Sequence, residues 1–482
     1  MEKRYHTNDS GKTLPCSAEL RECRFVHGAT PEEAAQNWQN QMADELIPTA
    51  AASPRLSTEE LLKSRYAGTF FGEEGEALDM DLPLDAGTAQ AVEALQGAGF
   101  QPLIVGGAVR DALLGKAPKD FDIEVHGAES FEELRRSLKP LGKLNLTGKS
   151  FGVMKLQIRQ PDGSLSEEID LALPRRDSKV GDGHRGFSVE VDPQMGLLEA
   201  TARRDLTVNA LFWDPSSGQT VDLHGGLADM EAGRLRHVSE AFSEDPLRVL
   251  RVARFASKLG FDTHPETVTL SKELVPTFEE LPSERVAGEM AKMILEPSPA
   301  RGFGFLRDSG WGERMGIPAQ SAERVAGELE RGLKIGRELD GQSARRVLQI
   351  AVLSESLPRE SRARTVGYFA ASKAEGQRAL RISDAGAVAS LSSADARQWA
   401  WDNQQITARE RIYLDHARGV GSAETESTLR RFEALGVLDG HETDSFDSQK
   451  LIDNHRAKNP GLRDGPWIRE ILQERRTAQY SR

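Results

Sequence analysis

A chain of 482 residues exceeds one ordinary domain, so a head with one or more further domains is expected. Its hydrophobic content of 38% supports a packed core, while a formal net charge of −13 excludes a protein that coats nucleic acid by bulk charge and leaves only a local basic stripe for gripping phosphates. No apolar run approaches the length of a membrane span, the opening MEKRYHTNDS lacks a signal-peptide core, and Cys16 and Cys23 support no disulfide framework, so a cytoplasmic protein is expected.

Residues 1–85 carry no recognisable motif and form an N-terminal extension of unassigned role. PEEAAQNWQNQMADEL, from Pro31, reads as a helix, and TAAASPRLS after it reads as a linker. From Asp85, DAGTAQAVEALQGAGF has helical spacing, ends at glycine and leads into a strand at Leu103.

The stretch from Leu103 to Val125, LIVGGAVRDALLGKAPKDFDIEV, holds the densest chemistry. Gly106 and Gly107 directly after an apolar run let the backbone pass close to something bulky and anionic, and a helix-like segment with Arg110 comes next. Asp120-Phe121-Asp122 opens a second strand. Alternation of side chains puts both carboxylates on one face and Phe121 on the other. Two carboxylates so close ask for a cation, and their hard oxygens suit Mg²⁺, which shares its shell with substrate phosphates.

Beyond Val125, FEELRRSLKPLG reads as a helix and FGVMKLQI as a strand. SLSEEIDLAL, from Ser164, reads as a further strand with Glu168 and Asp170 on one face and Ile169 and Leu171 on the other, which makes Asp170 a candidate third carboxylate. PRRDSKVGDGHRGFSVEVDP is a mobile polar loop by composition. ARRDLTVNALFWDP, from Ala202, reads as a helix whose first turn is charged by Arg203, Arg204 and Asp205. VDLHGGLADM, from Val221, contains a glycine turn that joins the head to a neck.

SEDPLRVLRVARFASKLGF, from Ser243, is a striped helix. Val249, Val252, Ala253, Ala256 and Leu259 form its apolar face, and Arg248, Arg251, Arg254 and Lys258 line the other. Asp245 before Pro246 is also a standard helix start. PSERVAGEMAKMIL, with a cap expected at Ser283, and FGFLRDSGW continue the helical pattern. From there to Arg482 the chain reads as amphipathic helices such as ESTLRRFEALGVLDG and GPWIREILQERR.

These segments resemble the five motifs of the class II tRNA nucleotidyltransferase and poly(A) polymerase family. GGAVRD with DFD resembles the first motif, RRDLTVNA matches every fixed position of RRDxTxNA, and DLHGGLADM departs from DxxGGxxDL only at Met230. Glu244, Asp245 and Arg248 match EDxxR, and the stretch from Pro282 resembles the fifth motif, so the resemblance covers residues 100 to 312.

The resemblance implies an α+β fold: a nucleotidyltransferase head with a mixed sheet and flanking helices over residues 86–230, a helical neck over 231–312, and a helical body and tail over 313–482 that holds tRNA. It implies template-independent addition of CMP and AMP from CTP and ATP to the tRNA 3′ end. Asp120 and Asp122, with Asp170 as third ligand, would hold Mg²⁺. Gly107, Arg110, Arg204 and Asp205 would meet the nucleotide, Asp245 and Arg248 would read its base edge, and Arg251 and Arg254 would face the triphosphate. The polar loop would be a gate beside the active site.

The alternatives are a poly(A) polymerase, a partial CC-adding or A-adding enzyme, and a noncatalytic RNA-binding protein. Gly148-Lys149-Ser150-Phe151-Gly152 stands where poly(A)-adding members resemble one another in a GRRFR-like basic stretch, which favours tRNA. No histidine is directly followed by aspartate, so no HD-type phosphohydrolase activity is expected. No GxGxxG comes after the Leu103 strand, which disfavours a dinucleotide-binding fold.

Overall fold

The computed structural model describes residues 4–7, 13–16, 26–28, 78–118, 120–147, 153–160, 162–179, 187–193, 195–440, 448–459, 467–468, 470–471 and 474–475. The chain divides into two compact units, Met1–Arg248 and Val249–Arg482. The helix expected from Pro31, the GKSFG stretch and half of GPWIREILQERR lie outside the described residues.

In the first unit, β1 (Arg4–Thr7), β2 (Thr13–Cys16) and β3 (Val26–Gly28) form a small antiparallel sheet in the order β2-β1-β3. The main sheet has eight strands. They are β4 (Leu78–Asp79), β5 (Gln101–Val105), β6 (Asp122–His126), β7 (Gly142–Thr147), β8 (Val153–Ile158), β9 (Ile169–Ala172), β12 (Phe212–Asp214) and β13 (Gln219–Val221), in the order β4-β13-β12-β5-β6-β9-β8-β7. β6 and β9 run parallel, and every other neighbouring pair is antiparallel. β4 ties the end of the N-terminal extension into the head, a pairing that its two residues could not announce in sequence.

One face of this sheet is the core. Met154, Leu156 and Ile158 of β8 and Ile169 and Leu171 of β9 alternate inward, packing with Ile104, Ile123 and Val125. Helices Ala86–Gly97 and Phe131–Leu138 cover them through Leu95, Leu134 and Leu138. Asp85 starts the first helix by accepting from the N–H groups of Gly87 and Thr88, both at 2.9 Å, and Ser130 caps the second. Period-2 alternation therefore sends Asp122, Lys155 and Asp170 to the other face.

Several expectations need correction. The strand from Ser164 is confined to Ile169–Ala172, because Ser164 and Asp162 form a local side-chain turn and Ser166 bonds to Ile158 N–H. The Gly- and Arg-rich loop is flanked by a ribbon, β10 (Arg175–Lys179) paired antiparallel with β11 (Phe187–Val191). In sequence the alternation of Phe-Ser-Val-Glu-Val is masked by the neighbouring glycines, which lie outside the described residues. Helix Leu197–Ala202 ends before Arg203, and the run after it is a turn, Thr207–Asn209, not a charged helix start. Ser283 is the first residue of helix Ser283–Met293 and makes no cap bond there; Pro282 holds the cap position.

The second unit is helical. Helix Gly341–Glu355 runs through it with Val347 to Ser354 all buried. Helices Ala408–Ala417 and Ser422–Ala434 contribute to a smaller apolar cluster around Phe432, Ile412, Ala400 and Val437. Buried Arg411 bridges this region to Asp415 at 2.6 Å and Glu355 at 3.3 Å. Among the described residues no helix is long and apolar enough to cross a membrane.

Candidate active site

The turn after β5 begins the site. Gly106 has φ +72°, and a Cβ placed on it would stand 3.3 Å from Nη1 of Arg204. A side chain is therefore excluded both by backbone geometry and by the guanidinium above it. Gly107 opens the short helix Gly107–Leu113, which carries Arg110.

Arg110 is only 2% exposed. Its Nη1 donates to Asn209 Oδ1 and its Nε to Asp111 Oδ1, at 2.5 and 2.8 Å. Asn209 Nδ2 donates in turn to Asp205 Oδ1 at 3.0 Å, and the same oxygen accepts from Leu206 N–H at 2.8 Å. The expected nucleotide contacts Arg110 and Asp205 are thus both buried, and they clamp the Thr207–Asn209 turn to the Gly-Gly turn. Asn209, central to this chain of bonds, is absent from the residues that sequence singles out, although it stands at a fixed position of the same run.

The glycines of the Val221 segment work inside the head. Gly225 takes the left-handed conformation, and a Cβ on Gly226 would come 2.3 Å from the carbonyl oxygen of Thr207. Asp229 accepts from Thr207 Oγ1 at 2.8 Å, and Asp222 accepts from the N–H groups of His224 and Leu227 at 3.0 and 2.8 Å. Burial pushes the Asp222 carboxyl up, partly offset by those N–H donors. His224, bonded through Nε2 to Thr201 Oγ1 at 2.8 Å, is held down at a pKa of about 4, first by burial and then by the charge of Arg204.

The carboxylates stand on the open sheet face. Asp122 on β6 and Asp170 on β9 are register partners of the parallel pair. Asp122 keeps an opening to solvent while protein crowds its other sides. Its carboxyl is pushed above the ordinary range by desolvation first and Asp170 second, with Asp120 adding to the rise and Arg204 and Lys155 opposing it. Lys155 bridges Glu168 at 2.9 Å and Asp170 at 3.2 Å. Asp120 is exposed and Phe121 buried, as the alternation requires.

The same alternation continues to Glu124 and His126, which carry no motif of their own in the sequence. Both are buried, at 2% and 0% exposure, and the segment carrying Arg203 and Arg204 covers Glu124. Glu124 Oε2 accepts from Arg204 Nη2 at 3.2 Å and lies 3.9 Å from Arg203 Nη2, while Oε1 meets His126 Nε2 at 3.0 Å. Burial alone would push the Glu124 carboxyl up. The His126 hydrogen bond and the arginine charges outweigh it and hold the group well below the usual carboxylate range.

The donor set fits a hard divalent cation in its chemistry: Asp120, Asp122 and Asp170 offer only carboxylate oxygens, and the mutual repulsion of Asp122 and Asp170 is what a cation would relieve. Among the described residues, no group of three or more His, Cys, Asp or Glu side chains is drawn together tightly enough to hold a metal by itself.

Asp245 and Arg248 stand at the start of helix Leu247–Leu259. Asp245 Oδ1 accepts from Leu247 N–H at 3.2 Å, which is capping geometry, and the Arg248 guanidinium donates to the carbonyl of Ala241. In the second unit, Arg254 pairs with Glu289 at 2.7 Å and Arg251 approaches the same carboxylate at 3.9 Å; both guanidiniums also lie over the Phe255 ring. The arginine row is therefore partly tied to the helix Ser283–Met293 and is not a purely solvated face.

Comparison with known proteins matches residues 103–236 to the family described as "Poly A polymerase head domain" and residues 260–314 to "Probable RNA and SrmB- binding site of polymerase A". The "Multifunctional CCA protein" of Nitrosomonas europaea is 45% identical over 208 residues, which are 43% of this chain and 47% of that protein. The chain thus spans just under half the length of the curated relatives it matches. Among solved structures, the Bacillus stearothermophilus CCA-adding enzyme in complex with CTP is similar with a TM-score of 0.60 and 22% identity, over 83% of this chain and 94% of that one. The Thermotoga maritima CCA-adding enzyme complexed with tRNA is similar at 0.53 and 19%, over 82% and 92%. These two likenesses bear out the α+β head followed by helices. Residues 103–236 of this chain are thus similar to the poly(A) polymerase head domain, and to the corresponding part of the curated relatives.

Proposed function

We propose that this protein adds CMP and AMP, from CTP and ATP, to the 3′ end of tRNA without a nucleic-acid template. The observation that carries the reading is the pairing of Asp122 with Asp170 on adjacent parallel strands, beside Arg204, in a head similar to that domain. Similarity to a relative named a CCA protein and to a CCA-adding enzyme solved with tRNA supports tRNA over other RNA ends.

Asp120 and Asp122, with Asp170 alongside, would hold Mg²⁺. When bound, the metal supplies activation of the tRNA 3′-hydroxyl and neutralisation of the leaving pyrophosphate. The chain's own residues do the positioning. Gly106 and Gly107 let the nucleotide approach the backbone, and Arg204 faces its phosphates with donors that match anionic oxygens. Arg110, Asn209 and Asp205 keep the turn below Arg204 rigid. Asp245 and Arg248 read the base edge, while Arg251 and Arg254 serve the triphosphate.

The test is to incubate purified protein and Mg²⁺ with tRNA transcripts lacking CCA, CA or the terminal A, supplying CTP, ATP or both, and to sequence the products. Completion of each to CCA is expected. Extension of only one class makes it a partial CC- or A-adding enzyme, long A tails on a generic oligonucleotide make it a poly(A) polymerase, and no extension at all overturns the reading.

A further inference from the structure

Arg204 keeps part of its side chain in solvent on the roof of the sheet's open face, yet its Nη2 is bonded to a carboxylate that has almost no solvent contact. A buried carboxylate beside a phosphate-binding arginine is a cost unless it does something for that arginine. Glu124 has both oxygens engaged: Oε2 by Arg204 at 3.2 Å and Oε1 by His126 at 3.0 Å. Its orientation is thereby fixed. From the other side, Gly106 brings the backbone under Nη1 so closely that a Cβ would sit 3.3 Å away. Arg204 is therefore gripped along one edge by Glu124 and held from beneath, where Nη1 also donates to the Asn209 carbonyl at 3.5 Å. His126 Nδ1 has no hydrogen-bond partner among the described residues, so the imidazole's one bond is the one to Glu124.

We infer that Glu124 and His126 are positioning residues: His126 orients Glu124, and Glu124 holds the Arg204 guanidinium in the pose that receives the nucleotide triphosphate. The inference rests on the functional reading above. A guanidinium already fixed in place loses less freedom when a phosphate arrives, so the pre-set pose favours binding.

The experiment measures equilibrium binding of CTP and of ATP, with Mg²⁺, to the full chain and to Glu124→Gln, His126→Leu, His126→Gln, Arg204→Ala and the double variant Glu124→Gln with Arg204→Ala. Melting curves establish folding beforehand. Glu124→Gln should weaken both nucleotides about 10- to 100-fold, as expected for loss of a charge-assisted hydrogen bond, with KM rising more than kcat falls. The double variant should bind no more weakly than Arg204→Ala alone, because Glu124 acts through it. His126→Gln, which can still donate to Glu124, should bind better than His126→Leu.

Where Glu124→Gln does not fold, the two His126 variants decide the question in its place. Wild-type affinity in Glu124→Gln, equal affinity in the two His126 variants, or additive losses in the double variant would each overturn this inference and leave the functional reading intact. A wild-type chain that binds neither nucleotide removes both.

Discussion

Asp122 on β6 and Asp170 on β9 face one another as register partners of the parallel pair in the main sheet, with Asp120 near enough to add to their repulsion. A fold tolerates this arrangement only where something outweighs the electrostatic cost, and Lys155 beside Asp170 offsets part of it. Asp122→Asn should therefore melt at a higher temperature than wild type in metal-free buffer. Adding Mg²⁺ should raise the melting temperature of wild type and shift that of the variant much less. Scanning calorimetry with EDTA and with Mg²⁺ checks both directions.

His224 carries a pH dependence whose sign is fixed. Its folded pKa, about 4, lies below the ordinary 6.5, so the unfolded chain takes up the proton first as pH falls. The stability of the head should be constant above pH 6.5, fall by roughly 3 kcal/mol at most between 6.5 and 4, and level off below. His224→Gln retains a donor for Thr201 and has no proton to gain, so its denaturation midpoint should lose that slope. Urea titrations across this range measure it.

Gly226 is a test of packing. A methyl group there meets the Thr207 carbonyl at 2.3 Å, a backbone atom that cannot step aside without moving the turn that holds Asn209. Gly226→Ala should cost about 3 kcal/mol or more and weaken nucleotide addition through the displaced turn. Gly288→Ala, in mid-helix with open space around the added carbon, should be neutral or stabilising. Parallel melts of the two proteins separate clash from mere loss of glycine.

The start of helix Leu247–Leu259 separates base reading from capping. Arg248→Ala should blur the choice among CTP, ATP, UTP and GTP, by about 1–3 kcal/mol if it makes one bidentate base-edge contact. Arg254→Ala should lower affinity for all four alike, since phosphate carries no base identity. Asp245→Asn keeps the cap to Leu247 N–H, so misincorporation by that variant isolates the base-reading role; unchanged fidelity would leave Asp245 as a cap alone.

Much of the head is readable in the sequence because its signals are local. The Gly-Gly turn, the alternation around Asp120 and Asp122, and the stripe of the Ser243 helix each arise from spacing within a dozen residues. The features that escape depend on residues far apart in the chain. Glu124 and His126 look like ordinary strand positions until Arg204, eighty residues after Glu124, meets its carboxylate. Asn209 acquires meaning only through Arg110, and Gly226 only through Thr207. The ribbon β10–β11 is hidden by its glycine-rich connection, and Ser283 loses its cap role to Pro282 because the helix begins one residue earlier than composition suggests.

The central claim is that paired carboxylates on β6 and β9 drive nucleotide transfer to tRNA. Its most direct measurement is single-turnover AMP addition to a tRNA transcript lacking only the terminal A, with pyrophosphate release quantified, for wild type and Asp122→Asn. The account predicts one pyrophosphate per AMP added, dependence on a divalent cation, and a loss of at least about a thousandfold in the variant while tRNA binding persists. Near-normal turnover by Asp122→Asn, or addition by wild type in excess EDTA, would contradict it.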